Sequence, residues 1–181
     1  MNQIEYRPLQ REELLPDLLL QFDRRQEVTH TYRWRGKRLV CRRNPHIADW
    51  DTKRKQDIVS GFADALDSGG AVFAAFDRNQ LIGFTSVPGG FIGGQGQFLQ
   101  LKMLLVSREH RHLGIGKALF ALAAQAARAL GAQKLYVSAN SAKESQLFYR
   151  AVGCVPASEV IPELFELEPY DIHMEYDLHQ L

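Results

Sequence analysis

The sequence predicts a mixed α/β domain, and three observations carry that reading. Stretches of helical period and stretches of strand character alternate in the order strand, helix, helix, three strands, helix, strand, helix, strand. A hydrophobic fraction of 45% beside a charged fraction of 24% is ordinary for a packed globular chain and excludes a wholly disordered, collagen-like or disulfide-scaffold protein. The length of 181 residues suits one domain over residues 1–181, because single cores commonly serve roughly 100 to 200 residues.

Taken in order, Ile4 to Leu9 reads as a first strand. Leu14, Leu15, Leu18, Leu19 and Phe22 fall at helical spacing, so Glu12 to Phe22 reads as a helix whose start Pro16 limits. The stretch from there to about Asp51 has no clean period. From Thr52 to Leu66 the residues Ile58, Val59, Phe62, Ala65 and Leu66 outline an amphipathic helix that Gly69-Gly70 closes. Ala71 to Phe76 and Leu81 to Val87 are apolar runs joined by a polar turn, which predicts a hairpin. Pro88 to Gly96 holds five glycines and predicts a mobile loop, because glycine-rich backbone loses too much entropy on ordering.

Phe98 to Val106 reads as one strand, with Met103 to Val106 apolar on both faces as in a central position. Gly114 to Leu130 is the longest helix, with Ile115, Leu119, Leu122, Ala126 and Leu130 on one face and Gly131 as its C-terminal stop. Leu135 to Ala139 is a strand, and Ser141-Ala142-Lys143-Glu144 has the form of a capping box opening a helix that ends before Gly153. Ile172, Met174, Tyr176 and Leu178 alternate with Asp171, His173, Glu175 and Asp177, which predicts a strand solvated on its polar face.

The net charge of +1 hides an asymmetry. Arg24, Arg25, Arg33, Arg35, Lys37, Arg38, Arg42 and Arg43 lie in one segment whose only acid is Glu27, which leaves about −6 on the rest of the chain. No stretch approaches the roughly 20 apolar residues of a membrane-spanning helix, and Met1 to Pro8 carries Glu5 and Arg7 where a leader would be apolar, so a cytoplasmic protein without membrane partners is the default. Cys41 and Cys154 have no metal-ligand spacing and read as small buried apolar residues, and no metal is expected.

The sharpest local feature is Arg111-His112-Leu113-Gly114-Ile115-Gly116-Lys117, between a strand and a long helix. Unpaired N–H groups at a helix N-terminus hold phosphate oxygens, with Arg111 and Lys117 adding charge. It is no P-loop, which needs Gly in place of Arg111 and Ser or Thr in place of Ala118; a dinucleotide fingerprint would need Gly or Ala in place of Leu119. Arg111-x-x-Gly114-x-Gly116 matches the Gln/Arg-x-x-Gly-x-Gly/Ala signature of the GNAT superfamily of acyl-CoA-dependent N-acyltransferases, and Phe148-Tyr149-Arg150-Ala151-Val152-Gly153-Cys154 resembles its Phe-Tyr-x-x-x-Gly-Phe.

The resemblance implies a central mixed, mostly antiparallel sheet splayed between its fourth and fifth strands, with helices on both faces. It implies acetyl-CoA as cosubstrate, with backbone groups of Leu104 and Val106 pairing the pantetheine arm and amides of Arg111, His112, Leu113, Gly114, Ile115, Gly116 and Lys117 holding the pyrophosphate. Asn140 takes over a contact to the arm, because Ala142 stands where the family pattern has Asn. Tyr149 is the candidate acid that protonates the departing thiolate.

The strand Phe98 to Lys102 offers no carboxylate as general base, which leaves a water chain or His30, His46, Asp49 or Glu163. The basic segment walls an acceptor cleft with Tyr32, Trp34 and Trp50, forms a solvated hairpin or meets the 3′-phosphate of CoA, or binds nucleic acid. The leading function is transfer of acetyl from acetyl-CoA to a primary amine of a small molecule, or less favourably of a protein. The alternatives are a catalytically weak acyl-CoA-binding regulatory module and a nucleic-acid-binding domain built on residues 24–43. A homodimer is compatible with either enzyme or module, and nucleic acid is the disfavoured partner.

Overall fold

The computed structural model describes residues 4–180. Met1 to Gln3, part of the segment read above for a leader, lie outside the described residues. The chain runs β1 (Glu5–Pro8), β2 (Gln26–Arg35), β3 (Arg38–Ala48), α1 (Thr52–Asp67), β4 (Ala71–Asp77), β5 (Gln80–Val87), β6 (Phe91–Ile92), β7 (Phe98–Gln100) and β8 (Met103–Val106). It continues through α2 (Ile115–Ala129), β9 (Lys134–Ala139), α3 (Lys143–Ala151), β10 (Val155–Pro156), α4 (Pro162–Leu167) and β11 (Ile172–Asp177).

Two sheets share the work. The first has the order β1-β4-β5-β8 and is antiparallel throughout; the second has the order β10-β11-β9-β7-β6, with β7 and β9 parallel. The expected strand Phe98 to Val106 is divided between them. The Leu101 N–H donates to the Tyr136 carbonyl at 2.8 Å in the second sheet, and the next N–H, of Lys102, donates to the Ser86 carbonyl at 3.0 Å in the first. Beyond that point β8 and β9 are unpaired with each other, which is the splay between the fourth and fifth strands of the central sheet. Met103 to Val106 is therefore an edge strand, half-buried, and not the covered central strand its composition suggests.

Alternation along β4 sends Val72, Ala74 and Phe76 into the core under α1, and Ala75 into the core under α2. The two helices thus cover opposite faces of the first sheet. Asp51 caps α1, its carboxylate accepting the Arg54 N–H at 2.7 Å. The helices α1, α2 and α3 end alike, with the N–H groups of Gly69, Gly131 and Gly153 and of the residues after them turning back onto the last turn. On α2 the buried face centres on Leu119, Ala123, Ala124 and Ala127, while Leu130 is exposed and Leu122 and Ala126 are half-buried. Small residues let the helix lie close to the sheets: a side chain at Gly83 of β5 would come within 3.0 Å of Leu119 Cδ1.

Other expectations are corrected, though the hairpin among the readings of the basic segment is present. Glu12 to Phe22 is a 3-10 turn at Arg11–Glu13 followed by successive three-residue turns, because Pro16 lacks an N–H and its ring excludes the helical carbonyl before it; Leu19 and Phe22 are buried all the same. The aperiodic segment is a long β2–β3 hairpin turning at Gly36-Lys37, with a bulge between Val28 and His30 that breaks its alternation, and Cys41 is exposed on it. The glycine-rich stretch contains β6 and is held by Glu159, whose carboxylate accepts the Gly94 N–H at 2.8 Å. On β11 the polar face is covered: His173 and Glu175 are 8% and 7% exposed, because residues after β10 fold over it around Phe98, Tyr136 and Ile161. Among the described residues no helix is long and apolar enough to cross a membrane.

Phe84 joins the turns, α1 and the sheet, its ring centroid 5.1 Å from Phe22 and 5.0 Å from Phe62. We expect Phe84→Ala to lower stability by about 3–5 kcal/mol in urea unfolding, the range for emptying a packed aromatic site.

Candidate active site

The parting of the sheets leaves a cleft with two free backbone edges. Ser107 N–H donates to the Ile82 carbonyl at 2.8 Å, and with the β5–β8 register this turns Leu105 and Met103 toward β5. Leu104 and Val106 direct their backbone groups out of the edge. Across the cleft, β9 loses β7 as a neighbour after Tyr136.

At one end of β8 stands the N-terminus of α2. The first bond of its ladder runs from the Ala118 N–H to the Gly114 carbonyl, so the N–H groups of Ile115, Gly116 and Lys117 point out of the helix without a partner in it. Gly114 takes φ +84°, has open space where a side chain would begin and supplies no side-chain cap. His112 also holds a positive φ, +65°, uncommon for a residue with a Cβ. His112, Leu113 and Lys117 are exposed. The macrodipole favours an anion here.

Arg111 turns away from this end. Its Nε donates to the Val106 carbonyl at 3.0 Å and its guanidinium to the Arg24 carbonyl at 2.9 Å, which ties the end of β8 to the base of the hairpin. Burial lowers its pKa first, partly opposed by Asp23 and reinforced by Arg108.

The two separated sequence motifs meet in space. A Cβ at Gly116 would lie 3.1 Å from the Phe148 ring and 3.8 Å from Val106 Cγ2, so the missing side chain lets α3 close on the start of α2. Tyr149, next to Phe148 and edge-on to it at 5.2 Å, is half-buried against the core that Leu104 of β8 also touches. Burial, then Cys154 and Asp171, raise the Tyr149 pKa, and burial pushes the Cys154 thiol up to about 12.

The start of α3 is where the hairpin docks. The Tyr32 N–H donates to the Ser141 carbonyl at 2.8 Å, Thr31 bridges Ala142, and Arg33 donates a short hydrogen bond to Ser141 Oγ. This overturns the expected capping box: Ala142 is the cap, Ser141 is engaged by the hairpin, and the Asn140 carboxamide oxygen accepts the Ala142 N–H at 2.9 Å. Beside it opens a cavity of about 330 Å³ walled by Arg33 and His46 of the hairpin, by Asn140 and Ser141, and by the turn from Glu168 to Asp171.

Residues 26–154 match the sequence profile of the acetyltransferase (GNAT) family, more than half of the chain. The chain belongs to that family. Nourseothricin acetyltransferase, 19% identical, superposes with a TM-score of 0.72 over 97% of this chain and 98% of its own. A Bacillus anthracis protein described as a streptothricin acetyltransferase, solved in complex with acetyl coenzyme A, is 16% identical with a TM-score of 0.73, over 97% and 99% of the two chains. The PaiA N-acetyltransferase of Thermoplasma acidophilum, in complex with coenzyme A, is 18% identical with a TM-score of 0.61, over 97% and 99%. At these identities the likeness is one of fold. No curated protein matches the chain.

In this GNAT chain Leu104 and Val106 lie on the β8 edge of the splay, residues 111–117 lead from it into the start of α2, Tyr149 lies on α3 and Asn140 just beyond the end of β9. Of the base candidates, His46 lines the cavity; His30 bonds Thr29, and Asp49 and Glu163 are exposed outside it. Sequence reasoning missed Asp171 and Glu168. Alternation assigns Asp171 to a solvated face, and only the fold of residues 157–170 encloses it. Among the described residues no group of three His, Cys, Asp or Glu side chains is placed to hold a metal ion.

Arg111→Ala removes two charge-assisted hydrogen bonds at the hairpin base. It should cost about 1.5–3 kcal/mol in thermal or urea unfolding and speed amide exchange around Arg24 and Val106.

Proposed function

We propose that the chain is an acetyl-CoA-dependent N-acetyltransferase that moves acetyl to a primary amine of a small molecule by direct attack in a ternary complex. The observation that carries this reading is the free edge of β8 beside an uncapped helix N-terminus, on which α3, the helix of Tyr149, packs through Phe148. The acetyltransferase names of the structural relatives, one of them holding acetyl coenzyme A, support it.

In this reading the outward backbone groups of Leu104 and Val106 pair the pantetheine amides as an added strand would. The Val106 carbonyl already accepts from Arg111, which leaves its N–H as the freer group. The amides of Ile115, Gly116 and Lys117, with those of His112 to Gly114 beside them, take the pyrophosphate oxygens, whereas the Arg111 N–H donates to the Arg108 carbonyl at 3.4 Å. The arrangement suits a phosphate approaching at Gly114, where no Cβ intervenes, while Gly116 serves packing against Phe148. Asn140, its side-chain oxygen engaged by the turn, offers its carboxamide N–H groups.

The thioester carbon, held next to the amine in a water-poor cleft, is attacked by nitrogen; the developing oxyanion takes a backbone N–H, and the C–S bond breaks. The raised pKa of Tyr149 keeps its phenol protonated across the working range, ready to give its proton to the departing thiolate.

Thiol release from acetyl-CoA across a panel of primary amines tests the reading. Tyr149→Phe keeps the ring and should retain fold and acetyl-CoA affinity while kcat falls by about 10²-fold. An unchanged kcat removes the phenol from the mechanism. Tight acetyl-CoA binding with no amine-dependent thiol release points instead to a regulatory binding module.

A further inference from the structure

The proposed reaction lacks a proton acceptor for the amine, since the strand where a carboxylate would face the cleft reads Phe98-Leu99-Gln100-Leu101-Lys102. We propose that Asp171, on the turn entering β11, is that acceptor, and that the cavity it lines receives the acceptor amine as its ammonium ion. The inference rests on the acetyltransferase reading above and names the base and the charge state of the substrate.

Two placements carry it. Asp171 lies one residue before Ile172, which pairs Ala139 at the last position of β9, and it lines the same cavity as Asn140, the residue that follows β9. In that 330 Å³ cavity it stands opposite the hairpin wall of Thr31, Arg33 and His46.

The surroundings give the carboxyl a suitable basicity. Burial raises Asp171 to about 8, helped by a hydrogen bond and negative charge from Glu168 and opposed by Arg33. The Asp171 N–H donates to the Glu168 carbonyl at 3.0 Å, which holds the two carboxyls on one turn. Besides Glu168, the charged or titratable groups lining the site are Arg33, His46 and Tyr170, and the Arg33 guanidinium lies 4.8 Å over the Tyr170 ring. An alkylammonium has a pKa near ~10.4, so a base near 8 takes its proton far more readily than a carboxylate near ~4.

The proton count closes. The ammonium gives one proton to the Asp171 carboxylate, and the freed nitrogen lone pair forms the C–N bond. The C–S bond then breaks with its electron pair on sulfur, and the thiolate takes the Tyr149 proton. The second nitrogen proton, lost from the tetrahedral adduct, restores the phenol, and Asp171 releases its proton to solvent. The net products are the amide, CoA thiol and one proton.

The test compares wild type, Asp171→Asn and Glu168→Gln, using acetyl-CoA and whichever primary amine of the panel releases thiol. Wild-type kcat/KM should rise with pH to a midpoint near 8. Asp171→Asn should flatten that limb and lower the plateau by about 10²-fold, with acetyl-CoA affinity intact. Glu168→Gln should keep the plateau and move the midpoint to lower pH, because a like charge and a hydrogen bond that raise Asp171 are gone. A structural role would not move a midpoint.

Stability supplies a second readout. A carboxyl with a raised folded-state pKa contributes stability that is present below its unfolded value and is lost as pH rises toward 8. The melting temperature of Asp171→Asn relative to wild type should therefore climb between about pH 4 and 8 and level off above. A wild type that turns over, with an Asp171→Asn variant of equal rate and unchanged pH limb, overturns this inference alone. A wild type that releases thiol with no amine overturns the acetyltransferase reading and this one together.

Discussion

Between Leu101 and Lys102 the backbone changes partners, one N–H donating to Tyr136 in the second sheet and the next to Ser86 in the first. Buried backbone donors and acceptors must be paired, so a strand that transfers from one neighbour to another leaves an unpaired edge on each side beyond the point of transfer. Here those edges are β8 and the end of β9, and the space between them is the cleft. Edges of this kind are a hazard on an open surface. Set inside a fold, they are a template for a ligand that can itself make strand-like hydrogen bonds.

The rest of the molecule holds that opening in shape. Alanines on α2 and Gly83 on β5 let the helix settle across both sheets, which delivers its N-terminus to the end of β8. Phe148 then closes α3 onto Gly116, and the phenol of Tyr149 follows on the next residue. The two glycines of the first motif therefore do different things. Gly114 provides the left-handed backbone and the open approach; Gly116 provides the gap into which a neighbouring aromatic ring fits.

Charge is arranged to the same end. Several cations of the basic hairpin bind the protein itself: Arg24 stacks 5.4 Å over Trp50, Arg33 engages Ser141 and Tyr170, and Arg25 meets Glu27. The contacts of Arg33 seat the hairpin over the start of α3 and wall the cavity. Opposite it, the chain presents Glu168 and Asp171, so a cavity on the basic side of the molecule carries an acidic floor. The guanidinium of Arg33 moderates how strongly Asp171 holds its proton.

What the sequence determined by itself was local. The stops at Gly69, Gly131 and Gly153, the hairpin of β4 and β5 and the glycine pattern before α2 each depend on a few neighbouring residues, and each is where the spacing puts it. The anion-ready helix start was legible for the same reason, while the acid candidate came from the resemblance of Phe148 to Cys154 to the family pattern. The division of Phe98 to Val106, the turns in place of a helix around Pro16 and the long β2–β3 ribbon were not, because hydrophobic period reports burial and says nothing of which neighbour a backbone bonds. Asp171 read as one more solvent-facing partner in an alternating strand. Only the tertiary structure, by folding residues 157–170 over that face and the hairpin against it, removed the carboxyl from water, and desolvation by distant segments leaves no mark on local spacing.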